Sequence, residues 1–418
     1  MGSRPGVRII VAGSIGNLLE WYDFAIYGYF AVQIGRAFFP QADAVAQVLA
    51  AFGIFAVGYV VRPLGGVLIG HIGDRYGRQR ALVFSITAMA APTLLVGLLP
   101  GFHTLGEAAP VLLTLLRMIQ GLSVGGEWTT SFTYLVEHAP PGRRGFVSAI
   151  ASSGGMLGVL AGSATGAALA ALLSPDALDS WGWRLPFLFG FVVAMAGYLL
   201  RRKSSGVAET AGMSTGLPLA ETLRHYLRLV MRLAGATTFL AVGFYLVFLY
   251  IVSWLQSVDG VDPARALTIN TASMVAMIPV ALAAGWLSDR IGGCAPVMLI
   301  AMAAAFVTSV PFFLLLHHDA TLPIAMGQIA LVILVGSVSA LTPAFMVEAT
   351  PPSVRCTAIA LGYNIPNGLL GGMTPLAAAW LVERTDIDLS PAFMLMAAAA
   401  ISFIALWSFR RQFAQGSP

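Results

Sequence analysis

Five ionisable side chains lie within stretches that are otherwise long and apolar, namely Glu20, Asp23, Arg62, Arg117 and Glu127. A charge at the centre of a bilayer costs about 2.5–3.5 kcal/mol on insertion scales, so such residues are paired or line a wet cavity. A carboxylate beside a guanidinium can exchange that partner for a proton. These residues therefore predict proton chemistry that is linked to the making and breaking of ion pairs.

The depth of each residue along its predicted helix decides which charges can meet. A helix rises by about 1.5 Å per residue, which places Asp23 and Arg117 at similar levels of a bilayer. Arg62 and Glu127 share a second level nearer the cytoplasm, and Glu20 falls between the two levels. We therefore expect Asp23 to face Arg117, and Arg62 to face Glu127 or Glu20.

The composition indicates that the solvent of this chain is largely lipid. Of its 418 residues, 58% are hydrophobic and 10% are charged, whereas soluble proteins carry about 25% charged residues. The net charge of +4 does not indicate a nucleic-acid partner, because the basic residues lie in short loops. Cys294 and Cys356 are well separated, and the six histidines fall at predicted loops or helix ends. We therefore expect neither disulfides nor a metal, and no cofactor.

Twelve segments are apolar enough to span a bilayer, which takes about 20 residues per helix. They are residues 8–37, 45–70, 80–100, 111–137, 145–173, 184–202, 230–256, 266–287, 295–316, 322–347, 356–382 and 391–410. The longest polar stretch, 201–228, is predicted to be a cytoplasmic linker. We expect an all-α integral membrane fold with six-helix bundles at 1–200 and 229–418.

The basic residues predict the orientation, because cytoplasmic loops carry an excess of Lys and Arg. If both termini are cytoplasmic, 17 of the 23 basic residues lie in cytoplasmic segments. Arg36, Arg184, Arg265 and Arg384 then lie outside, and Arg62 and Arg117 lie within spans. We therefore expect cytoplasmic termini. We also expect the protein to be a monomer and to lie in the lipid bilayer of a bacterial inner membrane.

Two motifs recur in the second half of the chain. Residues 70–78 read G-H-I-G-D-R-Y-G-R and recur at 285–292 as G-W-L-S-D-R-I-G, while 137–144 recur at 348–355. Duplicated parallel halves are typical of transporters that rock two bundles about a site at their interface.

These motifs resemble the major facilitator superfamily. The G-x-x-x-D-R-x-G-R loop is similar to its signature, and residues 16–24, 62–66, 117–121, 125–127 and 181–187 resemble its metabolite:proton symporter branch. The resemblance covers nearly the whole chain and implies twelve transmembrane helices in two pseudo-symmetric six-helix bundles. That branch includes porters for 2-oxoglutarate, citrate, shikimate, and proline or glycine betaine, so the resemblance leaves the substrate open. Residues 292–294 read G-G-C where relatives often show G-R-R.

The intramembrane charges are the candidates for coupling. Protonation of one carboxylate would release its arginine to bind an anionic group of the substrate through two parallel hydrogen bonds. The proton-coupling candidates are Asp23, Glu20 and Glu127, and the substrate-binding candidates beside them are Arg117, Arg62 and Gln120. The alternative is that these pairs only hold helices together.

The second half offers further candidates. Tyr245 can present a hydroxyl to a carboxylate or a ring to a quaternary ammonium, and Asn364 can hydrogen-bond a substrate. Packing against neighbouring helices is the alternative for both.

The resemblance also implies a gating latch in the cytoplasmic loops. Its residues are Asp74, Arg75 and Arg78, with Asp289 and Arg290 in the second half. Determination of topology by positive charge is the alternative. Separately, Gly154, Gly158, Gly162 and Gly166 are spaced by four residues, which predicts close helix packing.

The leading hypothesis is proton-coupled symport of a small organic acid (a mono-, di- or tricarboxylate) by alternating access, because a buried arginine favours a carboxylate. The alternatives are a proton symporter of a zwitterionic osmolyte such as proline or glycine betaine, and a proton-driven exporter. A receptor that binds solute without moving it belongs to a different class, and the lack of an appended signalling domain argues against it. The sequence contains no nucleophile elbow or phosphate-binding loop, so no enzyme activity is expected.

Overall fold

A computed structural model gives the fold of this chain. It describes residues 18, 20–62, 64–65, 78–123, 136, 139–140, 142–203, 224–351 and 354–410, without the side chains of 78–83, 85–86, 196–203 and 356. The regular elements in these ranges are all helices.

The described helices before the predicted linker carry three of the intramembrane charges, Glu20, Asp23 and Arg117. They are α1 (residues 20–29), α2 (Ala31–Phe38), α3 (Ala44–Val60), α4 (Arg78–Leu98), α5 (Phe102–Leu105), α6 (Ala108–Ser123), α7 (Arg144–Leu172), α8 (Pro175–Ser180) and α9 (Leu185–Lys203). A 3-10 turn, Gly182–Arg184, leads into α9.

The helices after the linker include two π-helical turns. They are α10 (Leu227–Tyr245), the first π turn (Leu246–Tyr250), α11 (Ile251–Ser257), α12 (Pro263–Arg290), α13 (Cys294–Leu316), α14 (Thr321–Ala349), α15 (Arg355–Ile365), the second π turn (Pro366–Gly371), α16 (Thr374–Thr385) and α17 (Ser390–Trp407).

Seven helical segments within the described ranges are long and apolar enough to cross a membrane. They are Arg144–Leu172, Leu227–Ser257, Pro263–Arg290, Cys294–Leu316, Thr321–Ala349, Thr357–Thr385 and Ser390–Trp407. Shorter apolar helices are Ala44–Val60, Thr87–Leu98, Ala108–Ser123 and Gly182–Met195. Each of these segments overlaps one predicted span, in the predicted order.

Side-chain caps set where two of the helices begin. The side chain of Asp43 accepts a hydrogen bond from the Ala46 amide at 2.8 Å ahead of α3. Asp262 accepts one from the Arg265 amide at 3.1 Å ahead of α12, whose first residue, Pro263, has no amide proton. Such caps satisfy amides that the first helical turn leaves without partners.

The described residues form two compact units. Unit 1 comprises those within Met1–Glu127 and Gly154–Ser214, and unit 2 those within Trp128–Ser153 and Thr215–Pro418. The start of α7 belongs to unit 2, where the Ser148 hydroxyl donates to the Ala340 carbonyl at 2.7 Å and accepts from the Ala344 amide at 3.2 Å. The division into bundles at 1–200 and 229–418 stays a prediction.

Glycines of α7 allow α1 to approach closely within unit 1. A Cβ added at Gly158 would lie 2.3 Å from the carbonyl oxygen of Leu18, and one at Gly162 would lie 3.1 Å from the Cβ of Ala25. The predicted close packing is confirmed at these two positions, whereas Gly154 faces open space. This contact fixes the position of α1, which carries the first two predicted carboxylates.

Candidate functional site

Asp23 and Arg117 form an ion pair in the interior of unit 1. Arg117 Nη1 donates to Asp23 Oδ2 at 2.5 Å, and the two side chains are 0% and 2% exposed. The guanidinium also lies over the ring of Tyr27, with 4.0 Å between Cζ and the ring centroid. The ring's negative face stabilises a desolvated cation. The predicted pairing of Asp23 with Arg117 is confirmed.

Two neutral side chains complete the surroundings of the Asp23 carboxylate. Thr93 Oγ1 and Gln120 Nε2 both donate to Asp23 Oδ1, at 2.7 and 2.9 Å. Thr93 is not among the residues predicted from the sequence, because a threonine in an apolar span carries no charge signal. Gln120, predicted to bind substrate, lies against this carboxylate.

Two nitrogens of the Arg117 guanidinium are not used in the ion pair with Asp23. Its Nε and Nη2 are buried and have no hydrogen-bond partner among the described residues. A buried polar group without a partner costs free energy. An anionic group that reached these nitrogens would therefore be stabilised strongly.

Arg62 and Glu20 form a second ion pair in unit 1. Arg62 Nη2 donates to Glu20 Oε1 at 2.9 Å, with the side chains 12% and 16% exposed. The Arg62 guanidinium lies 4.0 Å from the centroid of the Tyr59 ring and 4.6 Å from that of Phe24. The prediction that Arg62 faces Glu127 or Glu20 is confirmed for Glu20, and Glu127 lies outside the described residues.

Helix α1 positions both ion pairs. Glu20, Asp23 and Phe24 are spaced by three and four residues, so they lie on one face of the helix. The ring of Phe24 contacts both guanidiniums, because the Cζ of Arg117 lies 6.0 Å and that of Arg62 lies 4.6 Å from its centroid. One ring therefore lies between the two ion pairs and borders both cations.

A buried amide pair lies beside the first π turn of unit 2. Gln328 Nε2 donates to Asn270 Oδ1 at 2.6 Å and to the Val247 carbonyl at 3.4 Å. Asn270 Nδ2 donates to the Phe248 carbonyl at 3.4 Å. A π turn interrupts the regular α-helical hydrogen bonding, and the amides donate to carbonyls of this turn. Neither amide was predicted, although each is a polar group isolated in an apolar span.

Tyr245 and Asn364 are the substrate-binding candidates predicted in unit 2. Tyr245 directly precedes the turn and is fully buried, with its ring centroid 5.5 Å from that of Phe244. A Cβ added at Gly371 would lie 2.6 Å from Tyr245 Cε2, so the second π turn packs closely on this ring. Asn364 is half-buried in α15. Substrate binding by Tyr245 and Asn364 stays a prediction.

Asp289 caps the start of α7 within unit 2. Its two carboxylate oxygens accept from the amides of Gly145 and Phe146 at 2.8 and 2.9 Å. The carboxylate thereby satisfies two amides and lies at the positive end of the helix dipole. A Cβ added at Gly145 would lie 1.9 Å from Ser288 Oγ, so only glycine fits this crossing of α7 and α12.

The other residues of the predicted latch are exposed or lack described side chains. Arg290 is exposed, and its Cζ lies 4.1 Å from the centroid of the Trp286 ring. Asp74 and Arg75 lie outside the described residues, and Arg78 begins α4 without a described side chain. The gating role of all five residues stays a prediction.

A salt-bridged aspartate lies at the predicted external end of unit 2, where two further aspartates influence it. Asp259 and His317 form a salt bridge, and Trp254 Nε1 donates to the Asp388 carbonyl at 3.1 Å. Burial raises the pKa of the Asp259 carboxyl above its ordinary value; the charge of His317 opposes this, and those of Asp388 and Asp319 add to it. Within the described ranges, no three potential metal-ligating side chains come together.

The profile described as Major Facilitator Superfamily matches residues 13–363. The chain belongs to this superfamily. Its all-α fold of twelve transmembrane helices is thereby confirmed.

Curated relatives in the superfamily match the chain over nearly its full length. The "Glycine betaine/proline/ectoine/pipecolic acid transporter OusA" of Dickeya dadantii is 32% identical, over 95% of this chain and 82% of the relative. A "Putative proline/betaine transporter" of Staphylococcus aureus is 34% identical, over 97% and 88%. The "Proline/betaine transporter" of Escherichia coli K12 is 31% identical, over 95% and 82%.

Solved structures of the superfamily share the fold. The proton:xylose symporter XylE bound to 6-bromo-6-deoxy-D-glucose has a TM-score of 0.72 at 17% identity, covering 96% of this chain and 95% of that one. With the family and the relatives, this identifies the protein as a multi-pass membrane transporter of small molecules.

Proposed function

We propose that this superfamily member is a proton-coupled symporter of a zwitterionic solute such as proline or glycine betaine, working by alternating access. Relatives of 31–34% identity carry proline and betaine in their names, which supports the zwitterion alternative above the organic acid. We also propose that it is a monomer of the bacterial inner membrane with cytoplasmic termini.

The charge balance of the two ion pairs in unit 1 carries this proposal. Arg117 is matched by Asp23, and Arg62 by Glu20. A di- or tricarboxylate would bring more negative charge than these neutral pairs and one coupled proton can balance, and an uncompensated charge in a low-dielectric interior is strongly unfavourable. A zwitterion adds no net charge, so it can exchange partners with such a pair.

Asp23 is the proton-coupling residue in this proposal, with Glu20 and Glu127 as the other candidates. Protonation of Asp23 removes the negative partner of Arg117, whose Nε and Nη2 already lack partners among the described residues. The Arg117 guanidinium then lacks its counter-charge and favours negative charge nearby, so the proton and the carboxylate of the solute enter the same charge balance.

Purified protein in proteoliposomes tests the proposal. With an inward proton gradient, we expect uphill uptake of labelled proline or glycine betaine that an uncoupler abolishes. An excess of 2-oxoglutarate, citrate, tricarballylate or shikimate should not compete. Gradient-driven accumulation of one of these acids, with no uptake of either zwitterion, would restore the organic-acid hypothesis.

A further inference from the structure

The Arg62 guanidinium occupies a site with the features of a receptor for an organic cation. It lies 4.0 Å from the centroid of the Tyr59 ring and 4.6 Å from that of the Phe24 ring. The two ring centroids are 4.6 Å apart, with the ring planes inclined by 56°. Glu20 Oε1 supplies the counter-charge at 2.9 Å. Two aromatic faces beside a carboxylate are the surroundings that bind quaternary ammonium groups in proteins.

This pair is more accessible to a solute than the other one. The Arg62 and Glu20 side chains are 12% and 16% exposed, whereas those of Arg117 and Asp23 are 0% and 2% exposed. Exchange of a partner requires that the incoming group reaches the pair. The Arg62–Glu20 pair is therefore the one that a solute can enter first.

Two segments of unit 1 supply the four side chains. Glu20 and Phe24 are four residues apart on α1 and therefore lie on one face of that helix. Tyr59 lies in the last turn of α3, which ends at Val60, and Arg62 follows two residues later. Each segment thus contributes one ring and one charge, and the charges are of opposite sign.

We propose that Phe24, Tyr59 and Glu20 form the subsite for the ammonium end of the solute, and that Arg62 occupies this subsite until the solute replaces it. On binding, the guanidinium leaves the two rings and takes the carboxylate of the solute, while the ammonium group takes its place beside Glu20. This inference rests on the proposed function and assigns Phe24 and Tyr59 as residues that determine specificity.

The exchange predicts which solutes are accepted. A zwitterion replaces one ion pair by two and leaves no charge without a partner. A cation without a carboxylate, such as choline, would displace Arg62 from Glu20 and give the guanidinium no carboxylate in exchange, which is costly in partly buried surroundings. The presence of Arg62 therefore selects against simple cations, and the rings favour a methylated ammonium.

The first experiment compares glycine betaine with proline in variants of Tyr59. Proline can donate N–H hydrogen bonds to Glu20, whereas the quaternary ammonium of betaine has no such donor and relies on the rings. We expect Tyr59→Leu to weaken betaine binding about tenfold relative to proline, and Tyr59→Phe to recover the ratio. Phe55→Leu is the matched control, because Phe55 packs on both rings, with centroids 6.0 Å from Phe24 and 4.9 Å from Tyr59. It should change the binding of both solutes by the same factor.

The second experiment measures binding of labelled choline to the purified protein by equilibrium dialysis, so that transport is not required. We expect Arg62→Gln to bind choline about tenfold more tightly than the wild type, because Glu20 and the rings no longer hold a resident cation. Betaine binding should weaken in the same variant. A gain of binding cannot result from misfolding.

The outcomes separate this inference from the proposed function. If wild-type protein binds and transports a zwitterion, but Arg62→Gln leaves choline binding unchanged or Tyr59→Leu leaves the betaine-to-proline ratio unchanged, the subsite assignment is wrong and the function stands. If wild-type protein neither binds nor transports proline or betaine, the proposed function itself fails.

Discussion

Asp23 is held from three sides by groups that lie on two other helices. Thr93 of α4 donates to one oxygen of its carboxylate, together with Gln120 of α6, and Arg117 of α6 donates to the other. Removing one member of a buried ion pair costs about 3–5 kcal/mol, because the other charge is left without compensation. A residue that binds a proton in this place therefore changes the balance of the whole site.

Asp23→Asn tests this coupling. We expect gradient-driven accumulation of the solute to be abolished, because asparagine keeps the shape of the side chain but cannot exchange a proton. Exchange of labelled for unlabelled solute without a gradient should be partly retained. Both are measured in proteoliposomes, and unchanged uphill uptake would remove Asp23 from the coupling role. The double variant Asp23→Asn/Arg117→Gln, which removes both charges, controls for instability caused by an unpaired arginine.

The raised pKa of Asp259 predicts a pH-dependent stability at the predicted external end of unit 2. Because burial raises its pKa, the folded state binds the proton more tightly than the unfolded state. Its contribution to stability is therefore complete at low pH and is lost as the pH rises through the raised pKa. We expect Asp259→Asn to reduce the loss of thermal stability that accompanies a rise in pH from the ordinary pKa of an aspartate through the raised one.

His317→Gln is the companion variant for Asp259. The charge of His317 lowers the pKa of Asp259, while Asp319 and Asp388 raise it. Removal of the histidine should move the stability transition to higher pH in thermal denaturation followed by intrinsic fluorescence. A shift to lower pH would contradict the assigned cause.

Two features hold α7 against α12 where these helices cross, namely a helix cap and a close backbone contact. Asp289 caps α7, and a Cβ added at Gly285 would lie only 2.7 Å from the carbonyl oxygen of Gly145. Cys294 begins the next helix and is 2% exposed, with its Sγ 3.9 Å from Ser288 Oγ. The reactivity of this thiol therefore reports whether the crossing is closed.

We expect Asp289→Ala to accelerate maleimide labelling of Cys294 about fivefold, as the loss of a helix cap costs about 1 kcal/mol. The measurement is made in a Cys356→Ser background, which leaves one thiol because the chain has 2 cysteines. Asp262→Ala is the matched control, since Asp262 caps the opposite end of α12. Equal acceleration by both variants would refute the latch.

The first π turn depends on side chains from two other helices. Gln328 of α14 and Asn270 of α12 each donate to one of its carbonyls, and Gln328 also donates to Asn270. We expect Gln328→Leu to lower the free energy of unfolding by about 1–3 kcal/mol. The double variant with Asn270→Leu should lose less than the sum of the single losses, because the residues share one network. Strict additivity in thermal denaturation would show that the amides act independently.

The molecule as a whole has an orientation that its arginines predict. Reporter fusions test it: green fluorescent protein after Pro418 should fluoresce, and alkaline phosphatase at the same place should be inactive. Fusions that end at Asp176 in α8 should give the reverse pattern. Active phosphatase after Pro418 would place the C-terminus outside and overturn the positive-inside assignment.

The fold class could be predicted because lipid leaves the chain few choices. A bilayer requires apolar helices of nearly fixed length and penalises every charge within them. The overlap of predicted and observed helices follows from that requirement. The cost of a charge in lipid also singled out Asp23 and Arg117 as candidates. Their similar depth predicted that they pair, which the structure confirms.

Only the tertiary structure shows which face of each helix turns towards its neighbours. Helices that are apolar on all sides carry no stripe that shows which face turns inward. For that reason the sequence left Arg62 with two alternative partners, and it gave no sign that Phe24 and Tyr59 would enclose its guanidinium. The neutral partners Thr93, Asn270 and Gln328 carry no charge to signal them, so only the packing of helices against one another brings them to their sites.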